Sequence, residues 1–322
     1  MTRLGPYRLV RPLGSGGVGT VYEAFHESGG KPVALKVVRE EIADVPEVVA
    51  RLEREARVLA SIDSPHVVRV VGFGRASLDD DPKPRAYVAM ESLTGRDLGA
   101  VLSGGALPES RVLDLVEGAL AGLAAAHAAG VLHRDLKPEN VFLASEGTRN
   151  EVVKLLDFGM AKSERELAGA LFATAHGVVV GTPSYLAPEQ ARGDAVDARA
   201  DVYAMGAILY ECLAGRPPHV GATSEATLLA IAEGRAADLG ALGGRASSRV
   251  AKLIGRALAP RPEDRFASAD AMAEALRRAR EPATDESAPR SSDGERMRAV
   301  FVPALVAMAL GAAITFAILA LR

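Results

Sequence analysis

Cysteine is almost missing from this chain: Cys212 is the single one among 322 residues, so no internal disulfide can form. That suits a reducing compartment, and within its apolar stretch Cys212 reads as a small core filler. A strong excess of one charge is missing too. Lys and Arg number 38 against 41 Asp and Glu, a net charge of −3, which offers nucleic acid no bulk attraction. The amino-terminal stretch MTRLGPYRLVRPLG lacks the long apolar run of an export signal, so this part of the chain is expected to stay in the cytoplasm. His26, His66, His127, His176 and His219 show no metal-ligand spacing with a third ligand in view and are expected at surface or capping positions. No internal repeat is evident.

What is present is ordinary globular material, 48% apolar and 25% charged, enough to form a packed core. The carboxyl-terminal part differs. Residues 281–298, EPATDESAPRSSDGERMR, are poor in large apolar side chains and cannot offset their ordering entropy, which predicts a flexible tether. Residues 299–321, AVFVPALVAMALGAAITFAILAL, carry no charge. As a helix rising about 1.5 Å per residue this run spans a hydrocarbon layer of roughly 30 Å, so a single transmembrane helix is expected. Arg290, Arg296 and Arg298 precede it and only Arg322 follows, the pattern of a tail anchor with a cytoplasmic flank before it.

Within residues 1–280 the texture changes near Leu93. YRLVRPLG, GTVYEAFH, KPVALKVVRE and RAYVAMESL alternate apolar and polar residues as half-buried strands do. One helix interrupts them, VPEVVARLEREARVLASI, with Val49, Leu52, Ala56 and Leu59 on one face. After Leu93 the pattern turns mostly helical. ESRVLDLVEGALAGLAAAHAAG sets Val112, Leu115, Val116, Leu120 and Leu123 at helical spacing and stops at Gly130. ADVYAMGAILYECLAG is apolar nearly all round, which predicts a central buried helix. The expected fold class is α+β and bilobal: a small β-rich lobe over about 7–92, a larger α-rich lobe over about 93–280, and a ligand cleft between them.

The chemistry-bearing residues are spread along this frame. Gly14, Gly16 and Gly19 in LGSGGVGTVY follow G-x-G-x-x-G, and glycines let the backbone bring N–H groups close to phosphate oxygens. A dinucleotide-binding loop shares that spacing but opens into a helix, whereas TVYEAFH reads as a strand. Lys36 follows in VALK, placed to reach phosphates. The next helix offers Glu55 to hold it; Glu53, about 200° around the helix from Glu55, is the rival. The string HRDLKPEN, residues 133–140, is the most specific signal, followed by Asp157, Phe158 and Gly159 as DFG and by GTPSYLAPE ending at Glu189.

With these strings the chain resembles the eukaryotic-like (Hanks-type) serine/threonine protein kinases, of the bacterial membrane-anchored type, over roughly residues 7–280. The resemblance implies ATP and Mg²⁺ (or Mn²⁺) as cofactors and proteins with Ser or Thr acceptors as substrates. It implies Asp135 as the base that takes the hydroxyl proton, Lys137 as the neutraliser of the transferring phosphoryl group, and Asn140 and Asp157 as metal ligands. Thr182 would bond the catalytic aspartate and lysine. Asp201 would tie down the catalytic-loop backbone, and Arg265 would pair with Glu189 in a buried ion pair. Around the nucleotide it implies Leu13, Val21 and Ala34 above the adenine and Phe142 below. Met90 would be gatekeeper, Glu91 and Leu93 would lie on the hinge, and Asp97 would face the ribose.

The same resemblance implies regulation. Arg134 would receive a phosphorylated activation-loop residue through charge-assisted hydrogen bonds, with Thr174 as the acceptor. Related bacterial kinases often carry two nearby threonines; here Ala and His surround the one. Membrane confinement would favour transient self-association and trans-autophosphorylation. The rival expectation is a membrane-tethered pseudokinase scaffold, against which stand the intact Lys36, Asp135, Asn140 and Asp157. A small-molecule kinase would normally lack GTPSYLAPE.

Overall fold

The computed structural model describes residues 2–16, 19–40, 45–79, 81–145, 151–158 and 183–281. The chain divides into two units, Met1–Ala279 and Arg280–Arg322. The apolar run 299–321 and nearly all of the tether, like Gly159, Thr174, His176 and Thr182, lie outside the described residues. Among the described residues no helix is long and apolar enough to cross a membrane.

Alternating apolar residues build the first lobe as a closed barrel. Its strands are β1 (Arg3–Leu4), β2 (Tyr7–Ser15), β3 (Gly19–His26), β4 (Val33–Val38), β5 (Val70–Leu78) and β6 (Asp81–Glu91), in the order β1-β2-β3-β4-β6-β5. Leu4, Tyr7, Leu9, Ala24, Leu35, Val37 and Ala89 fill one buried cluster. Helix α1 (Pro46–Ala60) starts with proline in its first turn, where the missing N–H has no partner to lose. It buries Val49, Leu52, Ala56 and Leu59 in a second cluster with Val38, Val70 and Val88. That second cluster runs on into the other lobe, so the two lobes share one core.

The second lobe begins with β7 (Gly95–Asp97) and α2 (Leu98–Leu102), followed by α3 (Glu109–Ala128). It continues with α4 (Pro188–Arg192), α5 (Ala198–Ala214), α6 (Ser224–Ala232), α7 (Ser248–Ala257) and α8 (Ala269–Arg280). The helical face expected of α3 is the one it buries: Val112, Leu115, Val116, Leu120 and Leu123 are at most 6% exposed. Gly130 just beyond it has φ +77°, a left-handed value at which glycine carries no side-chain penalty. Helix α5 is buried nearly all round, including Tyr203, Met205, Ile208 and Tyr210, and is the lobe's axis. The sequence reading of this half as mostly helical misses a three-stranded sheet, β7-β8-β9, formed with β8 (Val141–Ser145) and β9 (Glu151–Leu155). VFLAS and EVVKL are short apolar runs that carry no helical period, and their pairing (Val141 with Leu155, Asp97 with Phe142) brackets the HRDLKPEN loop and DFG.

Candidate active site

The glycine-rich stretch is a hairpin between β2 and β3: Gly14 faces Val21, Ser15 faces Thr20, and the Gly16 N–H donates to the Gly19 carbonyl at 2.9 Å. A Cβ on Gly19 would stand 2.0 Å from the Val37 carbonyl oxygen, whereas one on Gly14 or Gly16 would meet nothing within 4 Å. Gly19 is therefore required by packing on β4, and Gly14 and Gly16 keep the space beside the hairpin open. Leu13 is exposed at its edge. The register then sets Val21 opposite Lys36 on β4, and Ala34 opposite Met90 on β6.

Lys36 is buried, so its ammonium needs a carboxylate. The expected carboxylate was Glu55. The structure brings Asp157 to it, with Lys36 Nζ donating to Oδ1 at 2.9 Å. Asp157 is turned to it by a left-handed backbone, φ +55°, uncommon outside glycine and a form of strain found at functional sites. Burial pushes the Asp157 carboxyl up, but the Lys36 charge and hydrogen bond outweigh it and hold it below the usual carboxylate range. Glu55 is half-buried on α1 with its Oε2 shielded from solvent, and Glu53 lies 3.9 Å from Arg57.

The HRDLKPEN loop is held from behind by α5. Asp201, buried on that helix, accepts the N–H groups of His133 and Arg134, each at 2.8 Å. Its Oδ2 also lies 2.8 Å from His127 Nε2. Burial raises the Asp201 carboxyl, yet His127, His133 and the backbone N–H hold it below the usual range. Arg134 takes φ +64°, and its carbonyl accepts from Gln190 Nε2 at 2.9 Å. The His133 ring is fully buried against Phe158, centroids 4.7 Å apart, and burial lowers its pKa.

On the open side of the loop, Lys137 Nζ lies 2.8 Å from Asp135 Oδ2. Asn140 closes the 3-10 turn Pro138–Asn140, donates through Nδ2 to the Asp135 carbonyl at 2.8 Å, and accepts the Leu156 N–H at 2.9 Å. The loop and the DFG strand are thus stitched together one residue before Asp157. Arg134, Asp135, Lys137, Tyr185 and Gln190 line one cavity. Among the described residues there is no cluster of three or more His, Cys, Asp or Glu able to hold a metal. Asp157 and the Asn140 side-chain carbonyl still suit Mg²⁺, a hard ion that takes one or two protein oxygens and completes its shell with phosphate and water.

At the other end, Met90 is buried, while Ala34 and Leu93 are half-buried against the shared core. Phe142 on β8 stands opposite Asp97. Asp97 caps α2 through Oδ1, which accepts the Ala100 N–H at 2.8 Å, and it lines a cavity with Glu139, Tyr185 and Glu211. Glu91 meets Lys154 at 2.8 Å. Farther out, Arg265 pairs with Glu189 through two 2.7 Å bonds, both side chains nearly fully buried.

Several of these contacts escaped the sequence reading. His127, His66 and His219 were expected at the surface or at caps; His127 is clamped on Asp201, His66 Nδ1 lies 2.8 Å from the Val153 carbonyl, and His219 is buried 3.0 Å from the Tyr203 hydroxyl. A neutral imidazole enters a core once one acceptor satisfies it, and sequence spacing does not reveal that acceptor. Gln190 and Lys154 gave no local signal at all.

A family model described as "Protein kinase domain" matches residues 7–276. The Myxococcus xanthus serine/threonine-protein kinase pkn2 is 44% identical over 67% of this chain, and Pkn1 of the same organism is 41% identical over 85%. A third M. xanthus protein, serine/threonine-protein kinase pkn3, is 38% identical over 89%. The chain spans 25%, 38% and 52% of those relatives' own lengths. Among solved structures, the Mycobacterium tuberculosis PknI kinase domain superposes with a TM-score of 0.65 at 30% identity, covering 86% of this chain and 97% of that one. The barrel lobe, the helical lobe and the residues gathered between them go with this match: the chain belongs to the protein kinase domain family.

Proposed function

We propose that this chain is a serine/threonine protein kinase that moves the γ-phosphoryl group of ATP onto protein Ser or Thr hydroxyls. The single observation that carries the reading is the convergence of Lys36, Asp157, Asn140, Asp135 and Lys137 through hydrogen bonds of 2.8–2.9 Å on one cleft. The relatives' names, all serine/threonine-protein kinases, support the acceptor class.

Asp135 accepts the proton of the acceptor hydroxyl, and Lys137 beside it offsets charge on the transferring group. Lys36 takes the α- and β-phosphates. Asp157 and Asn140 hold magnesium, which when bound supplies charge neutralisation across the phosphates. Leu13, Val21, Ala34, Met90, Leu93 and Phe142 enclose the adenine, with Glu91 on the hinge and Asp97 toward the ribose. In this reading Thr182 would bond Asp135 and Lys137, and phosphorylated Thr174 would dock on Arg134. Residues 299–321 tether the domain to the membrane and favour trans-autophosphorylation.

Incubation with γ-labelled ATP, magnesium and a generic protein substrate tests this. Label on Ser and Thr is expected. ATP binding without any transfer would establish the scaffold reading in its place.

A further inference from the structure

Lys154 belongs to β9, three residues before Asp157, and its side chain is 9% exposed. Its ammonium lies 2.8 Å from Glu91 Oε1. That same oxygen accepts the Arg69 N–H at 2.9 Å, and the Glu91 N–H donates to the Arg69 carbonyl at 3.0 Å. Glu91 is the last residue of β6, where the chain leaves the barrel for the helical lobe. One side-chain pair therefore grips the start of the interlobe connection from the strand that ends at Asp157.

Stability alone is a poor account of such a pair. A buried ammonium and a half-buried carboxylate lose hydration, and apolar side chains of the same size often serve a core as well or better. Nor does β9 need Lys154 to stay attached to the barrel lobe: the Leu155 N–H donates to the His66 carbonyl at 2.9 Å, and the Val68 N–H to the Leu155 carbonyl at 3.0 Å. What Lys154 adds is a hold on Glu91 itself, and through Arg69 on the antiparallel chain beside it.

We propose that Lys154 is a positioning residue for the adenine end of the nucleotide, fixing the backbone that follows Met90 through the carboxylate of Glu91. This rests on the kinase reading above. Loss of the grip frees the Glu91 segment while leaving Lys36, Asn140 and Asp157 in place. Adenine recognition weakens and phosphate recognition does not.

The test is calorimetric titration of the full chain with Mg-ATP and with Mg-tripolyphosphate, which lacks the adenosine. Lys154→Met is expected to weaken ATP binding about tenfold, the scale of one lost charge-assisted contact. Tripolyphosphate binding and turnover at saturating ATP stay as in the wild type. Lys154→Arg restores ATP affinity, and Lys154→Met/Glu91→Met, which leaves no stranded charge, is no weaker than Lys154→Met alone. Unchanged ATP affinity in Lys154→Met would overturn the inference. So would equal weakening of both ligands with a lower melting temperature, which is the mark of a structural pair. A wild-type chain that binds neither ligand would overturn the kinase reading itself, a different failure.

Discussion

The ammonium of Lys36 on β4 and the carboxylate of Asp157 after β9 stand 2.9 Å apart, joining a residue of the barrel lobe to one that follows the last strand of the helical lobe's sheet. The pair gives the cleft a pH dependence. Asp157 titrates below its ordinary value of 3.8. A carboxyl depressed on folding contributes stability above the unfolded pKa, and that contribution disappears as pH falls through the folded one. The denaturant midpoint of the nucleotide-free protein is expected to fall on acidification below about pH 4, and less steeply in Lys36→Met. Parallel pH profiles for the two proteins would contradict the pairing.

Arg265 and Glu189 predict a larger effect on folding. The guanidinium also donates to the carbonyls of Ala259, Arg199 and Pro260 and lies over the Tyr203 ring, 4.9 Å from its centroid. Arg265→Met strands a buried carboxylate and is expected to cost about 3–5 kcal/mol, read from denaturant midpoints. Lys at this position cannot reproduce two parallel bonds and recovers little. A cost below about 1 kcal/mol, typical of an exposed pair, would show that the ion pair does not persist in solution.

Asp201 predicts a split between chemistry and nucleotide affinity. Asp201→Ala leaves the His133 and Arg134 N–H groups without their acceptor, each a loss of about 1–3 kcal/mol, and lets the Asp135 loop shift. Turnover is expected to drop while the KM for ATP holds, because Lys36 and the hinge do not touch this carboxylate. A change confined to KM would place the effect elsewhere.

Regulation is tested by two changes at residues outside the described structure. Thr174→Ala is expected to remove a phosphopeptide from the autophosphorylated chain and lower activity; an identical phosphopeptide map removes Thr174 from consideration. Deleting 299–322 should leave turnover intact and slow self-activation at low protein concentration. Equal self-activation rates would argue against tethering as a lever.

Much of the frame was legible because it rests on local pattern. The buried faces of α1 and α3 follow from helical spacing, the burial of α5 from apolar residues all round, and the hairpin from glycines between alternating runs. What was not legible depends on partners distant in sequence. The Lys154–Glu91 and His127–Asp201 contacts join residues 63 and 74 positions apart, and neither leaves a periodic trace. The strands of the sheet β7-β8-β9 have only three to five residues, and short apolar runs do not distinguish strand from buried helix; β5 is nine residues long, but Gly72 and Gly74 interrupt its apolar alternation. The Lys36–Asp157 contact was not legible for a related reason: helix spacing indicates which face a carboxylate such as Glu55 occupies, and the backbone turn that brings Asp157 to the ammonium has no signature in spacing.

The central claim is that Asp135 acts as the base in phosphoryl transfer to a protein hydroxyl. Its most direct test is single-turnover transfer from Mg-ATP to a protein substrate by the wild type and by Asp135→Asn, with ATP affinity measured alongside. The account predicts transfer slowed by about 10²–10⁴-fold at unchanged ATP affinity. Transfer by Asp135→Asn at the wild-type rate would contradict it.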